Sequence, residues 1–242
     1  MVRGVYAAAA GMTTQYKKID VMGNNIANVN TVGYKQNELS LKTFGDELAA
    51  RTDDNTEIGA IPFCVSLGEE STDISDGTQV STSLNTDLAI DGNGFFAVRD
   101  GEGAVKYTRS GNFSVDNAGN LVLPAGEQLL GADNQPINVG TQNFTVSLDG
   151  TLIRQNGTAT RIPLYGAANA NIAKRRDGFF DITGAIPADG SIRQGWLENS
   201  NTDVIENMTG LMKAQRSFQG NQQALQVTLQ TMDRLVSEVG KV

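Results

Sequence analysis

The chain has 242 residues, of which 39% belong to the hydrophobic set and only 6% are aromatic, a lean composition for a compact enzyme of this length. It carries 19 Lys and Arg against 27 Asp and Glu, a formal net charge of −8, which argues against nucleic acid as the main partner because phosphate binding needs clustered positive charge. With no histidine and a single cysteine, Cys64, the chain lacks the Ser-His and Cys-His pairs, an internal disulfide and any metal-ligand spacing, so neither a cofactor nor a metal is expected.

In chain order, Val5, Ala9, Met12, Tyr16, Ile19, Gly23 and Ile26 follow a 4-3 spacing, and Ala7 to Ala10 add strong helix propensity. The spacing predicts an amphipathic N-terminal helix, with Ala9 and Gly23 small enough for a partner helix to approach closely. The first ten residues superficially resemble a signal peptide. Gly4 and Tyr6 interrupt the apolar run and Thr13, Thr14 and Gln15 follow it, so the segment is read as retained. No apolar run approaches the length needed to span a bilayer.

Residues 36–75 show no sustained period and read as an extended connector, within which Cys64 is expected to be a small buried apolar residue. From 76 to 198 the chain reads as β. Eight Asp-Gly or Asn-Gly pairs, at 76–77, 91–92, 93–94, 100–101, 149–150, 156–157, 177–178 and 189–190, punctuate short apolar stretches and predict type I′ hairpin turns. Asp91-Gly92-Asn93-Gly94 lacks the remaining ligands of a calcium loop and reads as a turn, with Phe95, Phe96 and Val98 in the core. Lys174-Arg175-Arg176 is the densest basic cluster and reads as a solvated loop.

The clearest periodicity is C-terminal. Val204, Leu211, Phe218, Leu225, Met232 and Val239 recur every seven residues, with Met208, Gln215, Gln222, Leu229 and Val236 interleaved. A continuous helix over 204–242 would be about 58 Å long, and Asn201, Thr202 and Asp203 are candidate N-caps. The alternatives are a coiled coil and an amphipathic helix packed on its own domain; the length of the heptad pattern favours the coiled coil. Gln215 and Gln222 in the seam are read as fixing register or partner number. With a seam at each end, the two ends are expected to pair with each other or with copies of themselves.

The resulting fold class is α+β: long terminal helices around an intervening β-rich domain of short strands and hairpins. Its segments are 1–35, the N-terminal helix and Asn-rich turn; 36–75, the connector; 76–198, the β-rich domain; and 199–242, the C-terminal heptad helix.

Four stretches carry a family resemblance: Met22-Gly23-Asn24-Asn25-Ile26-Ala27-Asn28 through Gly33-Tyr34-Lys35; Asp87 through Val98; Tyr107-Thr108-Arg109-Ser110-Gly111-Asn112-Phe113; and Gly195-Trp196-Leu197-Glu198-Asn199-Ser200-Asn201, ahead of Gln215-Arg216-Ser217-Phe218. Together, and in this order, they resemble the landmarks of flagellar rod and hook proteins over the whole chain. The resemblance implies paired terminal helices that form the inner tube of a helical assembly, with β domains outside. It implies copies of this chain, other flagellar rod and hook proteins and the flagellar type III export apparatus as partners, and a basal-body location reached without a cleaved signal.

The residues expected at the assembly interface are Val5, Met12, Ile19, Asn24, Asn25, Ile26, Asn28, Val204, Leu211, Gln215, Phe218, Gln222, Leu225, Met232 and Val239. Asn24 and Asn28 share a helix face, and their amides are expected either to bond neighbouring subunits or to serve turn chemistry before Gly33, an expected left-handed helix terminator. Within the resemblance, a rod subunit of proximal or distal type fits the chain length best, and a hook or junction subunit is the alternative. A carboxylate-dependent wall hydrolase is the enzymatic alternative, although no pair of acidic residues stands out. In an isolated monomer both ends are expected to be largely unfolded, ordering when neighbours bury them.

Overall fold

A computed structural model of the chain describes residues 2–50, 57–167, 172–175 and 177–239, with side chains described over 4–42, 67–166, 172–175 and 177–237. The chain divides into two compact units. Unit 1 holds residues 1–27, 37–73 and 203–242; unit 2 holds 28–36 and 74–202. The side chains of Cys64 and Val239 lie outside the described residues, as does Arg176.

Unit 1 consists of two helices and a hairpin. Helix α1, Val2–Ala27, runs through the alanine-rich start, and the hydroxyls of Thr13 and Thr14 donate back to the carbonyls of Ala9 and Ala10. Helix α2 is Val204–Val239. Asp203 caps it, its Oδ1 accepting from the amides of Ile205 at 2.8 Å and Glu206 at 3.1 Å. The helices pack against each other, as the two terminal seams predict, and they run antiparallel. A β-carbon on Gly11 would meet the Asn221 side chain, one on Gly210 would meet the end of Met22, and Asn25 bonds Asn207. Each step toward the C-terminus of α1 is thus matched by an equal step back along α2.

Where the sequence shows no period, a two-stranded antiparallel ribbon forms: β1, Asn37–Ala50, and β2, Glu57–Thr72. The backbone register shifts between Leu39 and Leu41 and between Ala49 and Ala50, and such irregularities interrupt the two-residue pairing period. Both strands of such a ribbon are edges, so Pro62 within β2 interrupts no central ladder. Helix α1 packs against both strands, and Lys17 pairs with Asp20 and Glu70.

Unit 2 holds the main core, in which Leu88, Ile90, Phe96, Val98, Phe113, Leu121, Leu129, Ile137, Phe144, Leu152 and Ile192 pack together. Phe95, Phe96 and Val98 are buried as the sequence predicts. Alternation is visible at Phe144–Val146, where Phe144 and Val146 are buried and Thr145 is exposed. Among the described residues the strands form a nine-stranded sheet, a three-stranded sheet and two short pairs. The pairs bring distant sequence together: Leu88–Asp91 with Ser191–Gln194, and Gln79–Ser81 with Trp196–Glu198.

Asp76-Gly77 and Asp189-Gly190 form no turn, and the turns at Gly150 and Gly157 differ from the predicted type. Gly150 and Gly157 have φ of 81° and 79°, and each donates its amide to the carbonyl three residues back, Ser147 and Arg154. The left-handed glycine therefore closes the turn as a bulge residue instead of sitting at its centre. Gly77 and Gly190 are needed for a different reason: a β-carbon would meet the carbonyl of Asn199 at 2.0 Å or that of Asn93 at 2.5 Å.

A β-carbon on Gly111 would lie 1.6 Å from the Leu88 carbonyl oxygen, whereas one on Gly101 would meet nothing within 4 Å. Gly111→Ala is expected to prevent unit 2 from reaching its native state, and Gly101→Ala to stay within about 0.5 kcal/mol of the parent. Urea denaturation followed through Trp196 fluorescence distinguishes the two outcomes.

Candidate assembly interface

On α2 the protected positions are Val204, Asn207, Leu211, Ala214, Phe218, Asn221, Leu225, Thr228 and Met232, a regular heptad in its own right. Half of the predicted seam lies on it: Val204, Leu211, Phe218, Leu225 and Met232 are all partly buried. The interleaved half, Met208, Gln215, Gln222, Leu229 and Val236, is exposed, and small or polar residues one position earlier take its place toward α1. The close approach at Gly11 and the Asn25–Asn207 bond give the reason: α1 offers a small, polar surface that matches Asn207, Ala214 and Asn221.

Helix α1 shows a similar offset. Its buried positions are Thr14, Val21 and Asn25, while Val5, Met12, Ile19 and Ile26 are half-buried on the flank. Tyr16, expected in the seam, is 68% exposed. Gly23, expected to admit a partner helix, has open space around it, and the close approach to α2 falls at Gly11.

Two surfaces of unit 1 therefore remain uncovered. One carries the exposed apolar side chains of α2, among them Ile205 at 78%, Met212 at 52%, Val227 at 61% and Val236 at 73%. Between Arg216 and Asp233 this helix has no charged residue, although five of its residues there are glutamine. The other surface is on α1, where Tyr6 joins Tyr16 in exposure.

The three asparagines before the first helix end play different parts. Asn25 is buried. Its Nδ2 donates to the carbonyl of Asn37 at 2.9 Å and to Asn207 Oδ1 at 3.3 Å, and its Oδ1 accepts from the Asn37 amide at 3.0 Å. It therefore joins α1, β1 and α2 within the chain, which sequence spacing did not show. Asn24 is exposed and donates to the Asp20 carbonyl; Asn28 Oδ1 accepts from the Thr31 hydroxyl. Gly33, at φ 68°, is left-handed as expected, and its amide donates to the Glu198 carbonyl at 2.7 Å.

In unit 2, the first, third and fourth landmarks meet at the Glu198 carboxylate, which is 1% exposed. It accepts from Lys35 Nζ at 2.6 Å, Arg109 Nε at 2.8 Å and the Gly77 amide at 2.8 Å. The rest of the Arg109 guanidinium donates to the carbonyls of Gly92 and Gly94 and to Asp76. The carbonyls of the Asp91–Gly94 turn are thus taken by an arginine. Lys174, read as part of a solvated loop, instead donates to the Lys35 carbonyl and lies 3.6 Å from the Tyr34 ring centroid. The cluster was hard to find in sequence because its members are single charges spread over more than 160 residues; the available signal was a lone charge inside each otherwise neutral landmark.

Burial pushes the Glu198 carboxyl upward, but the charge of Arg109 and the hydrogen bonds from Lys35, Arg109 and Gly77 outweigh it and hold the group below its ordinary value. Burial also pulls Lys35 below its ordinary value, against the opposing pull of Glu198. No helix among the described residues is long and apolar enough to cross a membrane.

The two long terminal helices pack against each other, and a β domain is inserted between them in the sequence. Three family models match the chain: the flagella basal body rod protein over residues 5–35, the flagellar hook protein FlgE/F/G D1 domain over 89–154, and the flagellar basal body rod FlgEFG protein C-terminal over 193–238. The chain is 32% identical to the flagellar basal-body rod protein FlgG of Bacillus subtilis, covering 98% of this chain and 99% of that one. It is also 32% identical to the flagellar hook-basal body complex protein FlhO of the same organism over the full length of both. With the flagellar hook protein FlgE of Treponema pallidum it shares 39% identity, over 52% of this chain and 28% of the hook protein. The chain belongs to the flagellar basal-body rod protein family, whose members are structural proteins of the flagellar basal body.

Two predictions follow from the geometry. Asn25→Ala removes the amide that serves Asn37 and Asn207 and is expected to destabilise unit 1 by about 1–3 kcal/mol, read as faster amide exchange in α1 and α2; Asn24→Ala should leave that exchange unchanged. The second concerns acid. Because Glu198 titrates lower in the folded than in the unfolded chain, its contribution is present above the ordinary value of 4.5 and is lost as pH falls through the lower folded value. As pH falls below the ordinary carboxyl value of 4.5, the urea midpoint should therefore drop more steeply in the parent than in Glu198→Gln.

Proposed function

We propose that the chain polymerises through α1 and α2 into the axial rod of the bacterial flagellum, carrying its β domain on the outside of the tube and linking the motor to the hook. The observation that carries this reading is the second surface of α2. After pairing with α1 it still exposes Ile205, Met212, Val227 and Val236, more apolar surface than a self-sufficient helix pair needs to leave in water.

The charge pattern supports the same reading. An exposed helix usually carries charges, yet residues 217–232 have none. In an assembly of identical copies a given residue recurs at every equivalent contact, so a buried charge would be repeated without a counter-charge. Glutamine amides both donate and accept, and so can pair with their own kind. Gly23 and Gly220 each weaken a helix interior by about 1 kcal/mol relative to alanine and meet nothing within 4 Å, consistent with a neighbouring helix passing close.

On this reading the interface comprises the half-buried flank of Val5, Met12, Ile19 and Ile26, the exposed amides of Asn24, Gln215 and Gln222, the neighbouring Asn28, and the exposed stripe of α2. Asn25 contributes indirectly, by setting the helix pair. Export through the flagellar type III apparatus suits a chain without disulfides whose helices gain much of their burial on assembly. A catalytic role is not part of the proposal: Glu198, the most buried carboxylate among the described residues, is held by Lys35 and Arg109 and faces no second carboxylate across a cleft.

The test is made in cells whose motility depends on this chain. Met212→Glu combined with Val227→Glu, and separately Asn24→Ala combined with Asn28→Ala, should abolish swimming and leave basal bodies without a rod. The purified variants should keep the parent's unit 2 stability. Normal swimming of both double variants would contradict the proposal.

A further inference from the structure

Unit 2 is entered and left by the chain at separated places, and two of these passages, 28–36 and 195–202, are stitched together with a third, 74–78. The Gly33 amide donates to the Glu198 carbonyl, the Asn199 amide to the Thr78 carbonyl, and the Asn201 amide to the Tyr34 carbonyl. The Gln36 amide donates to Asn201 Oδ1, and Asn201 Nδ2 to Ser75. Behind this backbone layer, Lys35 Nζ reaches both Glu198 and the Ser75 carbonyl, while Arg109 joins Glu198 to Asp76. Lys35, Arg109 and Glu198 are each at most 3% exposed.

We propose that Glu198, with Lys35 and Arg109, forms a latch that seats the passages 33–36, 75–78 and 198–201 of unit 2 in a single step, so that all three lock or release together. Removing 33–36 or 198–201 strands a buried charge, and removing 75–78 takes the Gly77 amide from Glu198 and the Ser75 carbonyl from Lys35. Without 198–201, Lys35 and Arg109 lose their shared carboxylate; without 33–36, Glu198 loses one of its two cations. A half-closed state therefore carries an unpaired ion in a dry site, which costs more than opening the remainder. A chain that emerges N-terminus first supplies Lys35 and Arg109 long before Glu198, so the latch keeps the first two passages unfastened until the last arrives. This inference concerns unit 2 alone and is tested on the monomer, so its failure would leave the assembly reading untouched.

The experiment is native-state amide exchange on the full chain at low denaturant, comparing the parent with Lys35→Met. The reporters are the amides of Gly33 and Gln36 on one passage, Gly77 on the second, and Asn199 and Asn201 on the third, with Leu130 in the inner sheet as reference. In the parent, all five reporters should open with one common free energy. In Lys35→Met all five should exchange about 100-fold faster by the same factor, Leu130 being unchanged. Acceleration confined to Gly33 and Gln36, with Gly77, Asn199 and Asn201 still protected, would overturn the latch. Should Lys35→Met fail to fold, Asp76→Asn takes its place, because Asp76 bonds Arg109 at the solvent-exposed end of the cluster: equal acceleration of all five reporters supports the latch, and acceleration confined to Gly77 overturns it.

Discussion

One carboxylate settles where unit 2 begins and ends. Glu198 sits 163 residues after Lys35 and 89 after Arg109, and holds both in a site almost closed to water. Closing so long a loop is entropically unfavourable, though the cost grows only slowly with length. What repays it is the combination of this ion cluster with the strand pairs Leu88–Asp91 to Ser191–Gln194 and Gln79–Ser81 to Trp196–Glu198. The first pair places Ile192 in the core beside Leu88 and Ile90. The cluster adds little net stability by itself, since burying three ionised groups is costly. Its effect is specificity, because every alternative pairing leaves a buried ion alone.

Unit 1 obeys a different rule. Its helix pair is fixed by polar and small residues: the Asn25–Asn207 bond, Gly11 opposite Asn221, Gly210 opposite Met22. A polar pair between helices costs stability and sets register, so the chain spends its small side chains on its own closure and leaves larger apolar ones outside. For a monomer this would be a poor arrangement. For a subunit that meets identical neighbours, as proposed, it is economical, since the exposed stripe of α2 and the flank of α1 would then acquire partners in the assembly.

Much of this was legible in the sequence because it rests on local periodicity. Val204, Leu211, Phe218, Leu225 and Met232 are the heptad positions that become partly buried within the chain itself, and Phe95, Phe96 and Val98 were readable as core. The positions that face α1 beside them were not readable, because apolar Met208 and Leu229 outrank Asn207 and Thr228 in any hydrophobic pattern, whereas packing against α1 favours small polar residues. The β1–β2 ribbon was invisible because its two register shifts break the alternation. Six of the eight Asp-Gly and Asn-Gly pairs fall at turns or bends, whereas Asp76-Gly77 and Asp189-Gly190 do not; the turn type was not readable because it depends on which residue takes the positive φ. The Glu198 cluster was legible only as three lone charges in otherwise neutral stretches; their pairing was not, because a buried ion network is defined by where the fold brings its members, and nothing within ten residues of Glu198 names Lys35 or Arg109.

The central claim is that the exposed faces of α1 and α2 are the surfaces by which this chain becomes part of the flagellar axis. Mass spectrometry of purified hook–basal-body complexes from the source cells tests it most directly. The account predicts peptides from this chain in fixed stoichiometry with the other rod proteins. Preparations that contain the other rod proteins in full but lack this chain would contradict it.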